Sequence, residues 1–113
     1  MNAQGFDPSR SRVSYDTMAA FIASPVTDDI LSVPGIGPAT AEKLSNDNID
    51  TTYQLIGLFL TLKGKNMTQQ VHCDAFWFYL QSIGVNAARS GIVHSIAEKT
   101  NIMMPGIFEL SDT

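Results

Sequence analysis

Apolar side chains recur every three or four positions along most of the chain, which is the spacing of amphipathic helices. The first such segment begins after Ser14, whose hydroxyl suits a helix N-cap, and ends before Pro25. Its apolar stripe consists of Tyr15, Met18, Ala19 and Ile22. The pattern predicts a first helix that packs through this one face.

Two short helices joined by a glycine turn are predicted next. Thr27, followed by two aspartates, suits the start of a short helix that Pro34 ends. Its apolar residues are Ile30, Leu31 and Val33. Pro38 suits the first turn of a second helix, which should run to about Ser45. The segment between them, Gly35-Ile36-Gly37, predicts a tight turn because glycine adopts positive φ without steric cost.

The segment 51–62 is apolar on nearly all sides, and Asp50 precedes it as the expected cap. We therefore expect a central, mostly buried helix there. Gly57 lies inside this helix, where glycine costs about 1 kcal/mol relative to alanine. Close packing of another helix at Gly57 would explain that cost. Gly64 is the expected C-cap.

Two longer helices complete the pattern. Asn66, with Gln69 three residues later, resembles a capping box for the next helix, which Gly84 closes. Trp77 should lie opposite its apolar stripe, which consists of Val71, Ala75, Phe76, Phe78, Tyr79, Leu80 and Ile83. Asn86 is expected to cap a last helix with the apolar residues Ala87, Ala88, Ile92, Val93, Ile96 and Ala97.

No segment alternates with the two-residue period of a strand, so the predicted fold is all-α, a compact bundle of five to six helices. Residues 1–13 lack periodicity and should form a flexible N-terminal arm, in which Arg10 and Arg12 belong to a solvated tail. A helical domain over 14–102 follows, and residues 103–113 form a C-terminal tail. The apolar segment 101–110 either folds back on the core, which we favour, or serves as an adhesive peptide.

The turn at Gly35–Gly37 matches the pattern of a helix-hairpin-helix, a module that grips a nucleic-acid phosphate without reading bases. The free N–H groups of Gly37, Ala39 and Thr40 should point outward at a helix N-terminus, where an anion is favoured. Ile36 should fill the angle between the helices. An ordinary turn between two helices, without a ligand, is the alternative interpretation.

Composition fits a globular protein of 113 residues, with 44% hydrophobic and 16% charged residues. The net charge of −4 counts against strong DNA affinity, although it leaves room for a small local contact. No segment has transmembrane length and no signal peptide is recognisable, so we expect an intracellular protein without a membrane partner. The single Cys73 suits a reducing compartment.

The sequence offers little for catalysis. His72, Cys73 and Asp74 are consecutive, so on a helix they point about 100° apart and cannot form a triad. Neither metal-ligand spacing nor a Walker-type phosphate loop is present. We therefore expect no enzyme, no catalytic residue, no metal and no cofactor.

The nucleic-acid contacts predicted from the sequence cluster at helix ends. They are Gly35, Ile36, Gly37, Ala39, Thr40 and Lys43 in the hairpin, Lys63 and Lys65 after the apolar helix, and Asn86, Ala87 and Arg89 before the last helix. A single hairpin neutralises about two or three phosphates, so its binding should be weak and salt-dependent. Useful affinity therefore calls for a dimer or a larger assembly.

Over about residues 21–96, the order of these landmarks resembles the barrier-to-autointegration factor family of small DNA-bridging proteins. The likeness rests on Phe21-Ile22-Ala23-Ser24-Pro25, Gly35-Ile36-Gly37, Lys43-Leu44, Asp50 with Tyr53, Leu55 and Gly57, Phe59-Leu60-Thr61-Leu62-Lys63, Phe76-Trp77-Phe78-Tyr79-Leu80, and Gly84-Val85-Asn86-Ala87 followed by Ser90. The spacing from the glycine turn to the segment 59–63 matches without a gap.

The resemblance implies a SAM-like α-bundle, a homodimer in nuclear chromatin, and sequence-independent binding to the backbone of double-stranded DNA. It assigns DNA contacts to Gly35, Gly37, Lys43, Lys63 and the pair Asn86-Ala87. The family also binds protein partners at its dimer surface.

Several departures from the family remove positive charge. Glu42, Gly64 and Ala88 stand where the family has lysines. The family's N-terminal basic contact has no aligned partner, unless Arg10 or Arg12 supplies it. The sequence therefore predicts a non-enzymatic, dimeric DNA-binding protein; the alternative is a protein-interaction or scaffold module on the same fold that has lost DNA binding.

Overall fold

A computed structural model describes residues 5–107, and within them the chain forms five α-helices and two single turns of 3-10 helix, with no strand. The helices are α1 (Tyr15–Ala23), α2 (Pro38–Asn46), α3 (Thr52–Thr61), α4 (Gln69–Ser82) and α5 (Arg89–Met103). The 3-10 turns are Pro8–Arg10 and Ile30–Ser32. The predicted all-α fold is confirmed.

The last helix, α5, forms the centre of the bundle and packs against α1, α3, α4 and the turn Pro8–Arg10. Nine of its residues are buried, against four in α3. The prediction that the segment 51–62 is central is therefore wrong, because Tyr53 on α3 stays exposed and Leu58 and Leu60 are only partly buried. The small polar residues Ser90 and Ser95 hide the burial of α5 from a hydrophobicity pattern.

The start of α1 is as predicted, because the Ser14 side chain accepts a hydrogen bond from the Thr17 N–H. The predicted helix after Thr27 is a single 3-10 turn, and its cap is Asp29, which accepts from the Leu31 N–H. The first arm of the hairpin is therefore one turn long.

Threonine hydroxyls cap α3 and α4 in place of the predicted residues. Thr51, and not Asp50, accepts from the Gln54 N–H at the start of α3, and the two residues form a reciprocal capping box. Thr68, and not Asn66, caps α4, because Asn66 adopts a left-handed turn with φ of 57°. At the other end of α3 the C-cap is Leu62 rather than the predicted Gly64.

The connection between α4 and α5 follows the prediction at one end and departs from it at the other. Gly84 adopts φ of 92°, and the N–H of Val85 donates to the Leu80 carbonyl, which together close α4 as a Schellman turn. At the start of α5 the cap is Ala88, with φ of 61°, and not Asn86. The last helix therefore begins later than predicted and extends to Met103.

Two predictions about packing on α3 and α4 differ from the structure. A methyl group placed on Gly57 would meet no atom within 4 Å, so no helix packs closely there within the described residues. Trp77 is buried, whereas Phe78, assigned to the apolar stripe, is 41% exposed. The α4 surface that faces the core is thus rotated from the one the sequence pattern selects.

The expected flexible arm is fixed at several points in its described part, residues 5–13. The Phe6 N–H donates to Asp74 Oδ1 at 2.8 Å, and Gln70 Nε2 donates to the Phe6 carbonyl at 2.8 Å. The Asp7 N–H donates to Ser90 Oγ at 3.4 Å. This segment therefore lies against α4 and α5 rather than in solvent.

The C-terminal tail is described only as far as residue 107. Ile102, Met103 and Met104 are about half exposed, and a turn closes where the Ile107 N–H donates to the Met104 carbonyl. The rest of the segment 101–110, for which we favoured packing on the core, lies outside the described residues.

A buried lysine joins α1 to α5. Lys99 is 3% exposed, and its Nζ donates to the carbonyls of Phe21 at 2.7 Å, Ile22 at 3.2 Å and Ser24. The ammonium also lies 5.1 Å from the centre of the Phe21 ring. Because these carbonyls end α1, a positive charge is favoured there.

Candidate nucleic-acid interface

The turn of the predicted hairpin packs directly onto the first turn of α5. Gly35 adopts φ of 95°, and a methyl group on it would lie 3.0 Å from Ile92 Cγ1 and 3.5 Å from the Ala88 carbonyl oxygen. Only glycine combines that backbone conformation with so close an approach. Gly35 therefore brings the start of α2 and the start of α5 together.

The backbone N–H groups after the turn are available to an anion. Gly37 is the N-cap of α2 without any side-chain cap, and within residues 5–107 no hydrogen bond engages the N–H groups of Gly37, Ala39 and Thr40. The φ of Gly37 is −101°, so positive φ is required only at Gly35. Ile36 is 6% exposed and fills the core, which leaves its side chain no contact with a ligand.

A cavity of about 630 Å³ opens beside this turn. Its walls come from the N-terminal arm, the first turn of α1, the hairpin and the start of α5: Arg10, Arg12, Val13, Ser14, Thr17, Pro34, Gly35, Ala87, Ala88 and Gly91. Of these described residues two are arginines and none is acidic. Because helix N-termini carry partial positive charge, the cavity is suited to a negatively charged group.

Arg10 and Arg12 are the basic residues that the sequence analysis assigned to a solvated tail. They line the cavity, and Val13 beside them lies close to Gly91, where a methyl group would lie 3.3 Å from Val13 Cγ2. Arg10 is otherwise exposed and makes one loose ion pair with Asp7, at 3.7 Å. The only signal in the sequence was the local positive charge of the arm, because its contacts on α4 and α5 come from distant residues.

Lys43 lies near the hairpin, on the exposed side of α2. Its methylene stem passes Gly84, where a methyl group would lie 3.6 Å from Lys43 Cε. Asn86 and Ala87, two and three residues further along, are exposed. The structure thus places Lys43 beside the connection between α4 and α5, although Glu42 is exposed next to it.

Lys63 and Lys65 lie away from the hairpin. They line a separate groove with Met104 and Ile107, beyond the C-terminal end of α5. The cavity at the hairpin is built on the opposite end of α5, whose 15 residues span about 22 Å. The two lysines therefore do not share one contact surface with Gly35.

Arg89 points inward from the first turn of α5. Its guanidinium lies 4.2 Å from the centre of the Trp77 ring, and Nη1 donates to the Val85 carbonyl at 2.6 Å. This arrangement stabilises the connection between α4 and α5 through a cation–π contact. Less of the Arg89 charge is available to a ligand than the sequence suggests.

The three consecutive residues weighed for catalysis have separate structural roles. His72 is buried, stacks on Phe59 at 3.9 Å and contacts the Phe59 carbonyl through Nε2 at 2.6 Å, and its burial lowers its pKa. Burial raises the pKa of Cys73 to about 12, so the thiol is unreactive. Asp74 holds the N-terminal arm. Among residues 5–107 no three His, Cys, Asp or Glu side chains form a metal-binding group.

Comparison with known families bears on this arrangement. The model of the family described as barrier to autointegration factor matches residues 13–97, more than half of the chain. The chain belongs to this family. Neither the curated proteins nor the solved structures contained a match. None of the helices in the described part is long and apolar enough to cross a membrane.

Proposed function

We propose that this member of the barrier-to-autointegration factor family is a non-enzymatic protein that binds double-stranded DNA through the phosphate backbone, independently of sequence. The observation that carries the proposal is the cavity at the hairpin, where the start of α5, the Gly35 turn and two arginines meet and no acidic residue among residues 5–107 belongs to the lining. Contacts that backbone N–H groups and arginines make to phosphate oxygens carry no base specificity. A nuclear, chromatin-associated location goes with this proposal.

The proposed DNA contacts form one surface. Its backbone donors are Gly37, Ala39 and Thr40, together with Ala87 in the cavity lining and the exposed Asn86 before it, and its cations are Arg10, Arg12 and Lys43. The sequence also suggests three further cations that contribute less. Lys63 and Lys65 lie beyond the far end of α5, and Arg89 stacks on Trp77. About three phosphates per chain remain, which predicts weak binding of about 10⁻⁴ to 10⁻⁶ M.

A homodimer belongs to the proposal because two linked weak sites bind far more tightly than one. The exposed side of α3 supports it. Tyr53 is 59% exposed, and no described atom lies within 4 Å of a methyl group on Gly57. A glycine inside a helix costs about 1 kcal/mol, and α3 of a second chain could approach closely there.

Fluorescence anisotropy on a short labelled duplex, at low and at moderate salt, tests DNA binding. Gly37→Glu is the sharpest variant, because a side chain at this position meets no atom within 4 Å and its φ is ordinary. The added carboxylate should abolish phosphate binding while circular dichroism shows an intact fold. Lys43→Glu should also weaken binding, and Lys65→Glu, the matched charge change at the other end of α5, should weaken it much less.

Failure of the wild-type chain to bind the duplex at low salt would contradict the proposal. Binding that survives Gly37→Glu would also contradict it, because the hairpin would then not be the contact. Equal losses in Lys43→Glu and Lys65→Glu would show that overall charge, rather than this surface, determines affinity.

A protein-interaction module is the second function that an observation favours. An apolar groove of about 660 Å³ runs between α1 and α5, lined in part by Tyr15, Met18 and Ile22, and Tyr15 is 85% exposed. Exposed apolar surface of this kind is typical of protein contacts. Failure of the chain to bind the duplex would favour this second function.

A further inference from the structure

The end of the arm away from the cavity is held on α4. Its anchored residue, Phe6, precedes Arg12 by about 20 Å of extended chain. Asp74 Oδ1 accepts hydrogen bonds from the Phe6 N–H at 2.8 Å and from Gln70 Nε2 at 2.9 Å. Gln70 Nε2 also donates to the Phe6 carbonyl at 2.8 Å. Both backbone groups of one arm residue are thus held by two side chains from adjacent turns of α4.

Gly5 shows how closely the arm fits this pair. Its φ is 120°, and a methyl group on it would lie 2.6 Å from Asp74 Oδ1. Because neither the backbone conformation nor the space admits a side chain, the hydrogen bonds of Phe6 require glycine before it. We call Gly5, Phe6, Gln70 and Asp74 the arm latch.

We infer that the arm latch is a positioning device for the proposed DNA site: it holds residues 5–13 against α4 and α5 so that Arg10 and Arg12 line the hairpin cavity. The inference rests on the proposed function, because the arginines are positioned for phosphate. Asp74 itself does not line the cavity and carries the wrong charge to contact DNA.

The reason the latch matters is entropic. A free arm would sample many conformations, and ordering each backbone residue on binding costs about 1 to 2 kcal/mol. An arm that is already fixed avoids this cost when it meets a phosphate. Breaking the latch should therefore weaken DNA binding even though it removes no DNA contact and takes away a negative charge.

Tryptic cleavage after Arg10 and Arg12 measures the position of the arm without DNA. In the full chain, Asp74→Leu and Gly5→Ala should speed this cleavage at least about tenfold, the ratio set by a 1.4 kcal/mol change in arm opening. Asp74→Asn keeps a carbonyl oxygen for both donors and should restore the wild-type rate. Gln70→Ala removes the hydrogen bond to the Phe6 carbonyl and should also speed cleavage, whereas Gln81→Ala, on an exposed position of α4, is its matched control and should not.

The salt dependence of duplex binding measures the number of phosphate contacts, including those of Arg10 and Arg12. The slope of log affinity against log salt is negative, and losing two phosphate contacts reduces its magnitude by about 1.8. A fourfold rise in salt then costs about twelvefold less affinity than it costs the wild type. The double variant Arg10→Gln/Arg12→Gln should show this smaller slope. Asp74→Leu keeps both arginines, so it should instead lower the duplex affinity at least about tenfold, the ratio that corresponds to about 1.4 kcal/mol of ordering cost. In the double variant, Asp74→Leu should change the affinity no further.

The outcomes separate the two proposals. Unchanged cleavage in Asp74→Leu, Gln70→Ala and Gly5→Ala would overturn the latch. Faster cleavage with the wild-type duplex affinity would overturn its role in DNA binding, because ordering the free arm would then cost the complex nothing measurable. If the wild-type chain does not bind the duplex while the cleavage rates still separate the variants, the proposed function fails and the latch only orders the arm.

Discussion

Replacing Lys99 with methionine tests whether a buried ammonium stabilises this fold. Methionine has nearly the same length and no donor, so Lys99→Met removes three hydrogen bonds to the end of α1 and leaves the packing largely intact. Hydrogen bonds to a charged group contribute about 1.5 to 3 kcal/mol each. The cost of burying the ammonium of Lys99, which is several kcal/mol, opposes the contribution of these hydrogen bonds.

The balance predicts a modest loss. The Phe21 carbonyl also accepts from the Ser24 N–H at 3.3 Å and the Ser24 hydroxyl at 2.9 Å, so it keeps partners when Lys99 is removed. The Ile22 and Ser24 carbonyls lose theirs. We therefore expect Lys99→Met to lower the free energy of unfolding by about 2 kcal/mol, which corresponds to about 8 °C or more in Tm.

Urea unfolding followed by circular dichroism measures this change. The midpoint should fall while the dependence of the unfolding free energy on urea stays constant. Lys65→Met, at an exposed lysine, should leave the midpoint unchanged and serves as the control. A variant as stable as the wild type, or more stable, would refute the reasoning and show that the desolvation cost outweighs the three hydrogen bonds.

Three further predictions concern other parts of the fold. Burial lowers the pKa of His72 below 6.5, so as the pH falls the unfolded chain binds the proton before the folded chain does. Stability should therefore be full above pH 6.5 and fall as the pH drops toward the folded-state pKa. In urea unfolding at a series of pH values, His72→Gln should lose this pH dependence. Gly35→Ala should lower the free energy of unfolding by at least about 1 kcal/mol more than Gly37→Ala, since only Gly35 has positive φ; equal losses in thermal unfolding would contradict this. Gly57→Arg should convert the proposed dimer to a monomer in analytical ultracentrifugation without loss of helix content, and an unchanged mass would place the dimer contact elsewhere.

Local chemistry made much of this fold predictable. The Ser14 cap, the turn at Gly35 and the end of α4 at Gly84 depend on residues within a few positions of each other, and the structure has each of them. The observed N-cap lies one residue after the predicted one at α3 and two residues after it at α4 and α5. At the start of α3, for example, Thr51 takes the place expected for Asp50 because it pairs with Gln54.

The candidate site was predictable only in its local parts, because its other residues are brought together by packing. The hairpin N–H groups follow from the glycine turn, whereas Arg10 and Arg12 lie on an arm whose Phe6 is hydrogen-bonded to side chains more than sixty positions away. The sequence also cannot show that Lys63 lies beyond the far end of α5, since that depends on how the helices cross. The contact of Arg89 with the Trp77 ring cannot be predicted from the sequence for the same reason.

The contrast between an acidic chain and an acid-free cavity has a consequence for the kinetics of encounter. The whole chain carries a formal charge of −4, while Arg10 and Arg12 line a cavity to which no carboxylate of residues 5–107 contributes. A polyanion at long range is therefore repelled, and the attraction begins only within about 10 Å, the screening length at 0.1 M salt. Basic proteins are steered toward DNA and associate more slowly as salt rises. For this chain added salt weakens the repulsion as well as the contact, so its association rate should change little with salt while its dissociation rate increases.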